Sequence, residues 1–183
     1  KLAEEGRNAV ITIPVNASSD IVVGEINGRM LQNMESKQAV LEIKTDTASY
    51  KIPAEQINSS LIAQQLGNGA VGSDVKIQVQ IAASPADTIN RASDAAQRDN
   101  FSIVVPPTDF SVTAVYGDRT FEVNKFNAYV ERTLAIPDGV DPTKVTTGIV
   151  VEEDGTTRHV PTKVVIIDGK YFAQINSLTN SAY

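Results

Sequence analysis

The only histidine in the chain is His159, in the run Arg158-His159-Val160-Pro161. A serine hydrolase would have to use it as general base, and a nucleophile works only where base and orienting group are assembled beside it. No Gly-x-Ser-x-Gly elbow accompanies it. It follows a turn signal and opens a strand-like run, so a structural or surface histidine is the expected role. Cysteine is absent, which removes thiolate catalysis, disulfides and zinc sites built on Cys. That absence leaves the cellular compartment open.

Carboxylates are the next candidates. Glu152, Glu153 and Asp154 form one acidic cluster, and Asp138 and Asp141 a smaller one. Oxygen-rich loops can hold Ca²⁺, but the EF-hand spacing is missing and Gly155 suits a tight turn, so a solvated hairpin tip is expected. Paired acids for glycoside hydrolysis are usually far apart along a chain and leave no local signature. Sugar-handling sites commonly add aromatic platforms, and this chain has no Trp. Of its tyrosines, Tyr50 and Tyr116 continue apolar faces and read as core or cross-strand residues.

Gly67-Asn68-Gly69 and Gly72 suggest a phosphate loop, yet no Gly-Lys-Ser/Thr follows, and the segment trails a helix instead of opening one. Asn16-Ala17-Ser18 and Asn58-Ser59-Ser60 match the glycosylation pattern, and neither is taken as a site. No catalytic, cofactor-binding or metal residue is assigned, and no cofactor is expected.

The elements that would position any site come from periodicity. Ala9, Ile11, Ile13 and Val15 share one face of a half-buried strand. Asn16 to Asp20 offers N-caps for a helix carrying Val23, Ile26, Met30, Leu31 and Met34 through Lys37. Residues 39–45 and 50–52 form a hairpin across Asp46-Thr47-Ala48. A second helix, 54–66, is capped by Gly67. Val75, Ile77, Val79 and Ile81 alternate with Lys76, Gln78 and Gln80, giving a strand with one wet face. Residues 84–100 are weakly helical and form a connector. From Phe101 the chain reads as all-β, with Gly117-Asp118 a hairpin turn and Phe126 to Ile136 a strand ended by Pro137. Thr146 to Tyr183 reads as an antiparallel meander turning at Glu153-Asp154-Gly155 and Asp168-Gly169.

The 183 residues suit one medium domain or two small ones. The net charge of −6 disfavours nucleic acid and anionic lipid, both of which need a basic face. No apolar run is long enough to span a bilayer, so membrane insertion is not expected. The start at Lys1 reads as an internal fragment or a processed product.

Several stretches in the C-terminal half resemble a known region: Phe110 to Tyr116 (FSVTAVY), Thr120 to Phe126 (TFEVNKF), Tyr129 to Thr133 (YVERT) and Ile136 to Pro142 (IPDGVDP). Asp154 to Thr156, Arg158 to Thr162 (RHVPT), Asp168 to Tyr171 (DGKY) and Ser177 to Ser181 (SLTNS) follow in the same order. Together they are similar to a region just upstream of S-layer homology repeats in large surface proteins of Gram-positive bacteria. Leu41 to Asp46 and Tyr50 to Ala54 extend the likeness into the first half. The resemblance implies an exported, modular, non-catalytic surface protein, located at the cell surface or S-layer. In that family the repeats bind secondary cell-wall polysaccharide. The repeats are missing here, with no Phe-x-Asp followed by His-Trp-Ala, so that binding is carried onto no residue of this chain.

The expected fold is α+β with β predominant, made of antiparallel sheets and hairpins with short helices mostly in the first half. The expected division is an N-terminal lobe 1–83, a connector 84–100 and a C-terminal all-β lobe 101–183, with one integrated domain as the alternative. The expected function is a structural spacer or interaction module contacting neighbouring modules or subunits. A carbohydrate-binding module, with glycan as partner, is the alternative.

Overall fold

A computed structural model describes residues 8–16, 19–67 and 72–183. Its architecture is α+β, β-rich and sandwich-like, and the described residues form three sheets. The largest has six strands: β1 (Val10–Pro14), β3 (Val40–Lys44), β4 (Ala48–Pro53), β8 (Lys125–Ala135), β12 (Lys170–Thr179) and β11 (Thr162–Ile167), in that spatial order. A four-stranded sheet runs β2 (Ile21–Asn27), β5 (Lys76–Ala83), β6 (Thr108–Tyr116) and β7 (Arg119–Glu122). β9 (Gly148–Val151) and β10 (Thr157–Val160) form a pair. Ala182 bridges both Asp109 and Val151, so the last residues stitch that pair to β6.

Each larger sheet takes strands from both sides of residues 84–100: β8 pairs with β4, and β6 pairs with β5. One buried cluster runs from Val22 through Leu41, Ile77 and Phe110 to Tyr183. Segments 1–83 and 101–183 therefore share their sheets and their core. The helix α4 (Ala86–Asp99) occupies the expected connector and buries Thr88, Ala92 and Ala95.

The helix expected from residue 20 onward is a strand followed by a shorter helix. β2 alternates strictly, with Val22, Gly24 and Ile26 turned toward the core, and α1 covers only Gly28–Ser36. Its N-cap is Asn27, whose Oδ1 accepts from the Met30 N–H at 2.8 Å. Two facts override the three-and-four spacing of Val23 and Ile26. The run Ile21-Val22-Val23 is β-branched, and a Cβ on Gly24 would stand 2.1 Å from Ile43 Cδ1, so the bare glycine is what lets the sheets close here.

The second helix is broken. α2 (Ala54–Ile57) and α3 (Ser59–Leu66) meet at Asn58, which takes φ +63° and caps α3 through its side chain. The Glu35 carboxylate on α1 accepts from the Ser59 N–H at 2.7 Å and from its hydroxyl, pinning the two helices together. A carboxylate at that helix start also meets its positive dipole end.

Three strand expectations also change. β1 pairs with β3 in parallel, which the long excursion through β2 and α1 permits. The C-terminal meander is not one sheet: Pro161 separates its hairpins, placing β9–β10 against the β6 side and β11–β12 on the six-stranded sheet. Phe101 to Val105 has no regular structure.

Candidate functional site

The residues with chemical potential are not gathered together. His159 is exposed on β10, opposite Ile149. At the β9–β10 tip, Asp154 Oδ1 accepts from the Thr156 N–H at 2.9 Å and from its hydroxyl at 2.6 Å. Those bonds hold the Asp154 carboxyl below its ordinary range. Glu152 pairs with Arg158 at 3.4 Å. Asp141 likewise accepts from the hydroxyl and N–H of Thr143, at 2.7 and 3.0 Å, and its carboxyl is lowered for that reason. Both acidic loops thus spend a carboxylate on their own turns. Among the described residues no group of three or more His, Cys, Asp or Glu side chains stands close enough to hold a metal ion.

Asn68 to Val71, the centre of the expected Gly-rich loop, and Ala17-Ser18 of the first glycosylation pattern lie outside the described residues. In the second pattern, Asn58 and Ser59 serve as cap and helix anchor, as above. An apolar pocket of about 100 Å³ lies between α4, residues 101–107 and β9.

The residues that do converge lie on the six-stranded sheet. Register places Thr12, Glu42, Lys51 and Glu131 directly opposite one another across β1, β3, β4 and β8. The Thr12 hydroxyl donates to Glu42 at 2.6 Å, and Lys51 Nζ lies 3.8 Å from Glu42 and 3.1 Å from Glu131. Gln174 on β12 donates to the second oxygen of Glu131. Beside this row the Ser49 and Thr133 hydroxyls are 2.6 Å apart, both buried. Glu42, Lys51 and Glu131 of this row floor an open hollow of about 550 Å³, rimmed by Asp46, Lys44, Asp168 and Lys170. Acidic and basic groups alternate there, so the hollow is nearly neutral and dense in hydrogen-bonding groups.

On the other face of the same sheet Arg132 is completely buried. Its guanidinium carbon lies 4.6, 4.8 and 5.5 Å from the ring centres of Tyr183, Tyr50 and Phe110. It donates to the carbonyls of Val130 (3.0 Å) and Thr179 (2.7 Å), to Asn180 Oδ1 (3.1 Å) and to the Tyr50 hydroxyl (3.4 Å). Among the described residues no carboxylate bonds to it, and its Nε has no partner. Aromatic faces and carbonyl dipoles therefore carry the charge. The Tyr50 phenol, which also donates to Asn180, is pushed up by burial, only partly offset by Arg132.

Sequence reasoning passed over both arrangements. Arg132 has a readable signal, because Phe126, Val130 and Leu134 share its parity along β8. The polar row has none, since Thr12, Glu42, Lys51 and Glu131 meet only through pairings between distant strands. The protein-family models, the curated proteins and the solved structures compared with this chain contain no match to it. Among the described residues no helix is long and apolar enough to cross a membrane.

Proposed function

We propose that this chain is a non-catalytic structural and interaction module of an exported cell-surface protein. The observation that supports this reading best is that both larger sheets draw strands from both halves over one core. Such a block unfolds as a unit and holds whatever flanks it at a fixed separation. The resemblance of Phe110 to Ser181 to the region upstream of S-layer homology repeats supplies the surface location. Its partners are neighbouring modules or subunits.

Scanning calorimetry tests the reading. A single cooperative transition is expected, with a melting temperature unmoved by wall polysaccharide or plant polysaccharides. Two separated transitions would remove the block, and a rise of several degrees with a glycan would reveal a ligand.

The hollow over Glu42, Lys51 and Glu131 favours a second reading, a carbohydrate-binding module. Its near-neutral lining of donors and acceptors suits an uncharged polyhydroxylated chain. Its groups already satisfy one another, which is why it ranks second. Amide and side-chain NMR shifts at Lys51 and Gln174 during titration with neutral oligosaccharides decide it.

A further inference from the structure

β11 closes one edge of the six-stranded sheet, with β12 on one side and no described strand on the other. Its hairpin turn is the two-residue Asp168-Gly169, with φ +50° and +80°, closed by Ile167 opposite Lys170. In such a hairpin the closing pair exchanges hydrogen bonds and every second pair does so thereafter. The Asn176 N–H donates to the Pro161 carbonyl at 2.9 Å, which confirms that odd-numbered positions bond to β12. The N–H and C=O of Val164 and Ile166 therefore point outward, and no described group bonds to them.

The side chains match that open edge. Val164 to Ile167 is an unbroken β-branched run without Pro, Gly or charge. Ile166 is 64% exposed, and Tyr171 opposite it is 44% exposed. The other described edges are guarded: β1 ends on Pro14, β2 carries Gly24 and the ion-paired Glu25, and β7, β9 and β10 have four residues each. Unguarded edges of this kind recruit another strand.

We infer that β11 is the docking edge for a second copy of this chain, paired antiparallel so that the two six-stranded sheets become continuous. The inference rests on the reading of the chain as an interaction module and names its partner. Charge selects the occupant and its direction. Lys163 stands near the start of β11 and Asp168 just past its end, so antiparallel copies bring each Lys163 toward the other's Asp168. A parallel arrangement sets like charge beside like. With Val164 opposite Ile166 of the second copy, both outward positions pair reciprocally, adding about four main-chain hydrogen bonds. The exposed Ile166 then lies beside Val164 of the second copy on the same face of the continuous sheet. So short an edge buries less than the roughly 800 Å² per partner of a standard interface, so the dimer is weak and concentration-dependent.

Sedimentation of the whole chain from about 1 µM to about 1 mM, a range spanning weak to moderate affinities, tests this. The wild type is expected to move reversibly from monomer to dimer. Ile166→Lys, at an exposed site, should remain monomeric with an unchanged circular dichroism spectrum. Lys163→Glu, which sets acid against Asp168, should weaken association by about tenfold or more and keep the fold even if Ile166→Lys does not. A wild type monomeric throughout, or association undiminished in Lys163→Glu, overturns the pairing. Either result leaves the module reading to the calorimetry.

Discussion

Lys51 and Arg132 sit one step apart on the same pair of strands and solve the same problem in opposite ways. β4 and β8 pair so that Lys51 faces Glu131 while Tyr50 faces Arg132. One pair looks outward and the other into the core. Lys51 keeps 38% of its side chain in water and stands between two carboxylates. Arg132 is fully buried, no carboxylate among the described residues bonds to it, and it meets three rings, two carbonyls and an amide oxygen. A cation near solvent can use a full opposite charge because both partners stay partly hydrated and the bond is weak. A second buried charge would add its own desolvation cost. A buried guanidinium spread over ring faces and carbonyls avoids that second cost, but every partner then depends on it.

That contrast can be broken by mutation. The largest effect is expected from Arg132→Ala, which opens a cavity and strands the acceptors around it. We expect a loss of about 3–5 kcal/mol, read as a fall in melting temperature of about 2–4 °C per kcal/mol. Arg132→Met fills most of the volume and should cost less. A loss below about 1 kcal/mol for the alanine variant would put Arg132 in the same class as Lys51 and end the comparison.

Next in size is the response to alkali. Burial raises the Tyr50 pKa, so the folded state holds that proton more tightly than the unfolded chain does. Its contribution is complete below the unfolded value of about 10 and shrinks as pH rises above it. Phenolate absorbance should show Tyr50 ionising only as the protein unfolds. In Tyr50→Phe this share of the alkaline loss disappears.

On the outer face Ser49 and Thr133 provide a middle case, polar and buried yet uncharged. Ser49→Ala leaves the Thr133 hydroxyl unpartnered and should cost about 1–3 kcal/mol in urea unfolding. Ser49→Ala with Thr133→Val removes both partners and should recover part of that loss. The smallest effect is expected at Lys51→Met, at most about 1 kcal/mol and fading with added salt. A larger, salt-independent loss would show that the polar row is a structural network instead of a replaceable surface.

Most strands are legible because one face of each is apolar: β3, β4, β5, β6 and β8 follow period two, while the β11–β12 hairpin is marked by Asp168-Gly169 between apolar runs. β2 is hard to read because Val23, Ile26 and Met30 imitate helical spacing, while the β-branched run Ile21 to Val23 and the approach of Ile43 to Gly24 together hold the backbone extended. The break at Asn58 was hidden because its left-handed backbone fits a pattern that remains helical on either side. The acidic turns are legible as turns, since Asp154 and Asp141 bond to the Thr two residues on, a purely local matter. The polar row and the Arg132 cage were not assembled, because their members are separated by tens of residues.

By itself the sequence determined what short-range chemistry controls: the α+β class with β predominant, the alternation of faces, the hairpin turns and the lack of a local catalytic motif. Tertiary structure alone decided which hairpin joined which sheet, that both halves share one core, where Arg132 found its rings and that β11 was left at an edge. The reason is that periodicity specifies which side of a strand is buried, while strand order is set by long-range pairing of backbones that are chemically alike. Thr146 to Tyr183 shows both limits: its two turns are local, but Pro161 sends its hairpins to different sheets.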